Sequence, residues 1–217
     1  MHVSDEEFAE FKATIRKSVA GLGRTETTSR IAKDFGLFFL EFMEHSDRAI
    51  GVMIGVALEE SSRELFESYL VAGLQTRRLL GRGHGLGSHS ARIEMAFGLG
   101  LIPAWMRHDL LVLRDIRNEC AHRGAAFFGK RPLSNLIGSL QAGALADAMI
   151  KSQPSFAEAL SGAATARLIV AAGYVWLKLR VWSSVLETEF KCRPLPTLKA
   201  SVFRKARDPK ASRRVTR

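Results

Sequence analysis

The sequence predicts an all-α fold, and three observations carry that prediction. No run alternates apolar and polar residues with β-branched enrichment between turn signals, so strands are not expected. Apolar residues instead recur at spacings of three and four. Capping residues and glycines then punctuate those stretches where helices should start and stop.

Taken in order, Ser4 with Glu7 three residues on has the form of a capping box. The helix it opens runs to about Gly21, with Phe8, Phe11, Ile15 and Val19 on one side. A second spans Ser29 to His45 and turns Ile31, Phe35, Phe38, Phe39 and Phe42 inward. A third follows Ser46, with Asp47 in its first turn, and is expected to continue to about Leu80. Its apolar stripe is Ile50, Ile54, Leu58, Leu65 and Tyr69, and its outer face pairs Glu59 with Arg63 and Arg63 with Glu67. The glycine-rich segment 81–87 breaks it.

Ser88 or Ser90 caps the next short helix, which Gly98-Leu99-Gly100 closes. Pro103 opens a helix near its first position, carrying Leu110, Leu111, Leu113 and Ile116 and ending at His122, with Gly124 as a C-terminal glycine. A helix from Ser134 or Asn135 to Ile150 and a long one from Thr165 to Phe190 complete the body. The ten apolar or glycine residues from Leu168 to Leu177 are too few to span a bilayer, and Lys178 and Arg180 follow at once, so a buried core helix is expected.

The chain has 217 residues, 47% of them hydrophobic, enough for one domain with a core. The net charge of +10 is unevenly placed. Residues 191–217 hold ten Lys/Arg against the single acid Asp208, whereas residues 1–190 hold 22 Lys/Arg against 21 acids. Two units follow: an all-α domain over 1–190 and a basic tail over 191–217, rich in proline and poor in apolar residues and so expected to be disordered. Arg193, Lys199, Arg204, Lys205, Arg207, Lys210, Arg213 and Arg214 are its candidates for contacting RNA or DNA phosphates. Two cysteines, Cys120 and Cys192, make no disulfide framework, and Met1–Glu10 has no basic-then-apolar leader. A cytoplasmic protein with no membrane span is expected.

The glycine segment lacks a preceding strand and a Gly-Lys-Ser/Thr ending, so neither nucleotide-binding fingerprint applies. His84, His89, His108 and His122 show no metal-ligand spacing, no nucleophile elbow is present, and no cofactor is implied. The chemistry-bearing string is Arg117-Asn118-Glu119-Cys120-Ala121-His122. Arginine is always cationic and histidine titrates near neutral pH, so the pair suits a phosphodiester and its metal-free cleavage. On an ideal helix, however, five residues advance about 500° and leave the two side chains about 140° apart. Asn118 and His122 share a face. Arg117 and His122 meet only if the helix end unwinds or a second copy of the chain completes the site, as a two-fold homodimer would allow.

From Leu79 to His122 the chain resembles the mannitol operon repressor family. The resemblance rests on Leu79-Leu80, the glycine segment ending Leu86-Gly87, Ser90-x-Arg92, Phe97-Gly98-Leu99-Gly100-Leu101-Ile102, and Leu113-Arg114-x-Ile116-Arg117 with a histidine five residues on. The preceding helix with Glu59-Glu60 is similar too, giving about 75 residues in all. It implies an all-α regulator of transcription that lacks a DNA-reading helix and acts through a protein partner, such as a transcription factor. The Arg117-Asn118-x-x-x-His122 string also resembles the signature of the HEPN superfamily. That implies a dimeric, metal-independent endoribonuclease of a toxin–antitoxin or defence system, with an antitoxin as partner. Arg117 and His122 would contact the scissile phosphate, Asn118 would orient the site, and Glu59 or Glu60 would support it.

Overall fold

The computed structural model describes residues 45–122, 126–152 and 162–190, and the single positions 33, 34, 37, 42, 157 and 160. Among them are seven α-helices and no strand, so the expected fold class holds. The predicted helix over Ser4–Gly21, most of that over Ser29–His45, Gly124 and the basic tail lie outside the described residues. Phe42, expected to face inward, is buried.

Helix α1 spans Asp47–Tyr69 and is capped by Ser46, whose hydroxyl accepts from the Ala49 amide. It stops eleven residues before the expected Leu80, because Leu70 turns to extended backbone. A separate short helix α2, Leu74–Leu79, follows and buries none of its six residues. Thr76 Oγ1 donates to the Val71 carbonyl across the break at 2.6 Å. Helix α3 is His89–Gly98, and of the two candidate caps Ser88 is the one used, accepting from Ala91 N. Its end is a Schellman turn: Leu101 N donates to Ala96 O and Gly100 N to Phe97 O, with Gly100 at φ 70°, where a side chain would be strained.

Helix α4 is Ala104–His122. Its buried stripe is Met106, Asp109, Leu110, Leu113, Ile116 and Cys120, at the spacing that faces one side of a helix. The predicted Ser134–Ile150 helix is two helices, α5 (Leu133–Ser139) and α6 (Gly143–Ser152). The break has a physical cause. Both oxygens of the fully buried Asp109 accept from the amides of Gln141 and Ala142, each at 2.8 Å, so a side chain of α4 caps α6 where a continuous helix would have offered no free amides.

Helix α7, Ala163–Val185, passes into a π-helical turn at Leu186–Phe190. It lies within Ala163–Glu189, a stretch long and apolar enough to cross a membrane. Over half of that stretch's most apolar window, 56%, is buried inside the body, as expected of a core helix. Helices α1, α4 and α7 touch one another and form the centre; α3 packs on α1 and α4, and α5 and α6 pack on α7.

The α1–α4 contact is close because α1 presents Gly51 and Gly55 to it. A Cβ at Gly55 would lie 2.5 Å from Arg117 Cβ, and one at Gly51 would overlap Cys120 Sγ and sit 3.1 Å from its Cβ. Gly51→Val should therefore lower unfolding stability by about 1–3 kcal/mol through overpacking. An unchanged urea midpoint would show that the helices can separate freely.

Candidate functional site

The first turn of α1 holds the end of the motif helix. Arg48 Nε donates to Cys120 O at 3.0 Å and Nη2 to Ala121 O at 3.4 Å, satisfying carbonyls that a helix C-terminus leaves open. Beside it, Asp47 Oδ2 accepts from Phe128 N at 2.8 Å and pins the chain that follows. Helix α4 accordingly stays regular through His122. The helix end therefore does not unwind to bring Arg117 and His122 together.

Arg117 is half-buried, its stem lying across Gly55, and Nη1 donates to Asn118 Oδ1 at 3.0 Å. His122 is exposed at the helix terminus. Cys120 between them is fully buried, and burial pushes its thiol up to about 11, which keeps it neutral and unreactive. Asn118 lines an open groove of about 380 Å³ between α4 and α5, together with Asp115, Glu119, Pro132, Asn135 and Leu136.

The candidate supporting carboxylates part company. Glu60 is exposed on the outer face of α1. Glu59 turns toward α3 and accepts from Arg92 Nη2 at 3.1 Å, so its partner is Arg92 and not the expected Arg63. The expected Arg63–Glu67 pair does form, at 3.0 Å. The basic-tail candidates Arg193 to Arg214 lie outside the described residues.

Sequence reasoning gave Arg92 and His89 no part in the site, although Arg92 belongs to the Ser90-x-Arg92 element and His89 was weighed as a metal ligand. Arg92 is 3% exposed, and besides Glu59 its guanidinium donates to Leu86 O (3.0 Å), Gly87 O (3.3 Å) and Ser62 Oγ (3.4 Å). It fastens the glycine-rich segment to α1. Ser90 accepts from Arg114, whose guanidinium also holds Asp115 Oδ1 at 2.8 Å. His89 is 9% exposed, and its Nε2 is buried without a hydrogen-bond partner among the described residues. Burial lowers its pKa to about 4; nearby Glu59 opposes the shift, and Arg92, Arg114 and Arg117 reinforce it. Arg117 thus bears electrostatically on the His89 imidazole. The signal was present in the sequence: His89, Arg92, Ile93 and Ala96 follow the i, i+3, i+4, i+7 rule, so two polar residues interrupt a buried stripe. Asp109 does the same in α4.

Among the described residues no three His, Cys, Asp or Glu side chains gather as metal ligands. No family model, curated protein or solved structure matches the chain.

A buried neutral imidazole makes stability depend on pH with a definite sign. The folded pKa of about 4 lies below the ordinary 6.5, so the unfolded chain binds more protons between these values, and stability falls as pH drops from about 6.5 toward 4. His89→Asn should flatten this dependence in urea titrations at pH 7 and pH 5; an undiminished slope would mean that other groups carry it.

Proposed function

We propose that the chain is a cytoplasmic regulator of transcription that acts by docking to a protein partner, as its resemblance to the mannitol operon repressor family implies. The observation that carries this reading is the chemistry of the groove beside the motif. Asp115 and Glu119 line it with two carboxamides, Asn118 and Asn135. No lysine or arginine among the described residues lines it, whereas a nucleic-acid surface gathers cations. A protein surface bearing basic or hydrogen-bonding groups is the better complement.

The residues that carry the resemblance also have jobs inside the scaffold. Arg92 ties the glycine-rich segment to α1, Ser90 anchors Arg114, and Gly100 closes α3. Such a scaffold presents surfaces, and the end of α3 leaves Met95, Phe97 and Leu99 exposed. Large apolar side chains in the open are a usual mark of protein contact. Helices α2 and α3 are separated by residues 80–88, too long a connection for the short turn of a helix-turn-helix.

In co-purification from the native host, Arg117→Ala and His122→Ala should recover the same partner as the unaltered chain, while Phe97→Asp should lose it. Loss of that partner in both motif variants, with their helical content intact, would sink the docking reading.

A second reading, a HEPN-type ribonuclease, draws support from the Arg117–Asn118 contact and the exposure of His122 on one regular helix. It needs a homodimer, because one copy leaves the two side chains on different faces. In it a ribose 2′-OH attacks the adjacent phosphorus, the P–O5′ bond breaks, His122 moves the proton, and Arg117 stabilises the developing charge. Cleavage should then proceed in EDTA and leave 2′,3′-cyclic phosphate ends. Toxicity on expression should vanish with His122→Ala; equal toxicity of the two forms would rule the mechanism out.

A further inference from the structure

We infer that the outward face of α7, together with the basic segment 191–217 that follows it, docks on an anionic membrane surface, with the protein lying on the bilayer and not crossing it. This goes beyond partner docking and does not depend on it.

The first observation is a second apolar stripe on a helix whose other face is core. Tyr174, Leu177, Lys178, Val181, Trp182 and Val185 follow the i, i+3, i+4, i+7, i+8, i+11 spacing of one helix side. All six are half-buried or exposed, and Val181 and Trp182 are each 42% exposed. Trp182 stands apart from the other two tryptophans. Trp105 stacks on Tyr174 with ring centres 5.8 Å apart, and the Arg180 guanidinium lies 5.7 Å from the Trp176 ring centre. Trp182 has no ring or cation contact among the described residues. An apolar body with one polar N–H suits the boundary between headgroups and acyl chains. Helix α7 contains no Asp or Glu. The cation within the stripe is Lys178, whose Nζ lies 5.5 Å from the Tyr174 ring centre. Its long stem lets the apolar part stay on the helix while the ammonium meets a lipid phosphate.

The second observation is charge. Residues 186–217 hold ten Lys/Arg against Glu187, Glu189 and Asp208. Each cation close to an anionic leaflet raises affinity on the order of fivefold. A short apolar contact or a basic segment alone holds a membrane weakly, and the two joined hold it stably. Here they are contiguous: Val185 ends α7, and one π-helical turn separates it from Lys191.

The same residues decide among occupants. In a two-fold pairing of this face with a second copy, Lys178 near its middle would lie close to its own symmetry mate. A nucleic acid would match the basic segment and could stack on Trp182, but Leu177, Val181 and Val185 offer it nothing. An anionic bilayer takes both the stripe and the basic segment. Crossing the bilayer is not open to α7, because 56% of its most apolar window is already buried in the body and only the outer stripe is available.

The test is co-sedimentation of the full chain with vesicles of phosphatidylcholine alone and of phosphatidylcholine mixed with phosphatidylglycerol, at low and high salt, with tryptophan emission read in parallel. The chain should bind the phosphatidylglycerol vesicles, leave them at high salt, and shift its emission to the blue. Trp182→Ser should weaken binding on the order of tenfold, through loss of one buried aromatic side chain, and should remove most of the blue shift. Joint substitution of Arg204→Gln, Lys205→Gln, Arg207→Gln and Lys210→Gln should weaken it on the order of a hundredfold. Val181 is as exposed as Trp182, so Val181→Ser repeats the test if Trp182→Ser loses helical content. Failure of the full chain to bind phosphatidylglycerol vesicles would overturn the proposal. So would undiminished binding by a folded Trp182→Ser or Val181→Ser variant, which would leave charge alone as the cause. Binding of single-stranded RNA more tightly than the vesicles, with the same loss in Trp182→Ser, would assign the face to nucleic acid instead. Partner recovery in co-purification is read separately, so failure here leaves the docking reading standing.

Discussion

The arrangement of the motif rests on two missing side chains. Gly51 and Gly55, one turn apart on α1, let α4 approach until Cys120 and Arg117 fill the space where their Cβ atoms would be. That approach turns the Arg117 stem against α1 and sends its guanidinium back along α4 to Asn118. It also buries the Cys120 thiol between the helices, where desolvation keeps it protonated. The first turn of α1 then finishes the helix end through Arg48 and Asp47. A wider crossing would free the Arg117 side chain and expose the thiol together, so the chemistry of the motif cannot be separated from the packing of α1 on α4.

Buried charges elsewhere do the work that turns do in other helical proteins. A charge removed from water is tolerated only when hydrogen bonds replace its hydration. Asp109 meets this condition with two backbone amides at the start of α6. Arg92 meets it with two carbonyls of the glycine-rich segment, Ser62 and Glu59. The half-buried Arg167 on α7 is held by the carbonyls of Ile137, Leu140 and Gly143, and by Asp147, so it spans the end of α5 and the start of α6. Each residue fixes a chain reversal by tying it to a neighbouring helix. Local sequence in those reversals can be permissive, because specificity is supplied from across the core.

This division explains what could be read from the sequence. The class of fold and the stripes of α1 and α4 follow from apolar periodicity, and the core role of α7 from its unbroken apolar run, both local properties. The Ser46 cap and the Gly100 turn were legible for the same reason. The split between α5 and α6 was not, since its cause is Asp109, some thirty residues away. The early end of α1 was hidden by helix-compatible residues on either side of Val71-Ala72-Gly73. Glu59 was assigned to Arg63 because that partner is four residues off, while the observed one, Arg92, is non-local. Of the candidate site, the helix bearing Arg117, Asn118 and His122 was legible. The neighbours of that helix were not: His89 and Arg92 are polar residues at buried positions of α3, which packs on both α1 and α4.

The regularity of α4 sharpens the choice between the two functional readings. A helix that stays regular through His122 sets Arg117 and His122 on different faces, with the Arg117 stem lying against Gly55. Ribonuclease chemistry would therefore have to borrow at least one group from a second copy. Partner docking asks for no such convergence.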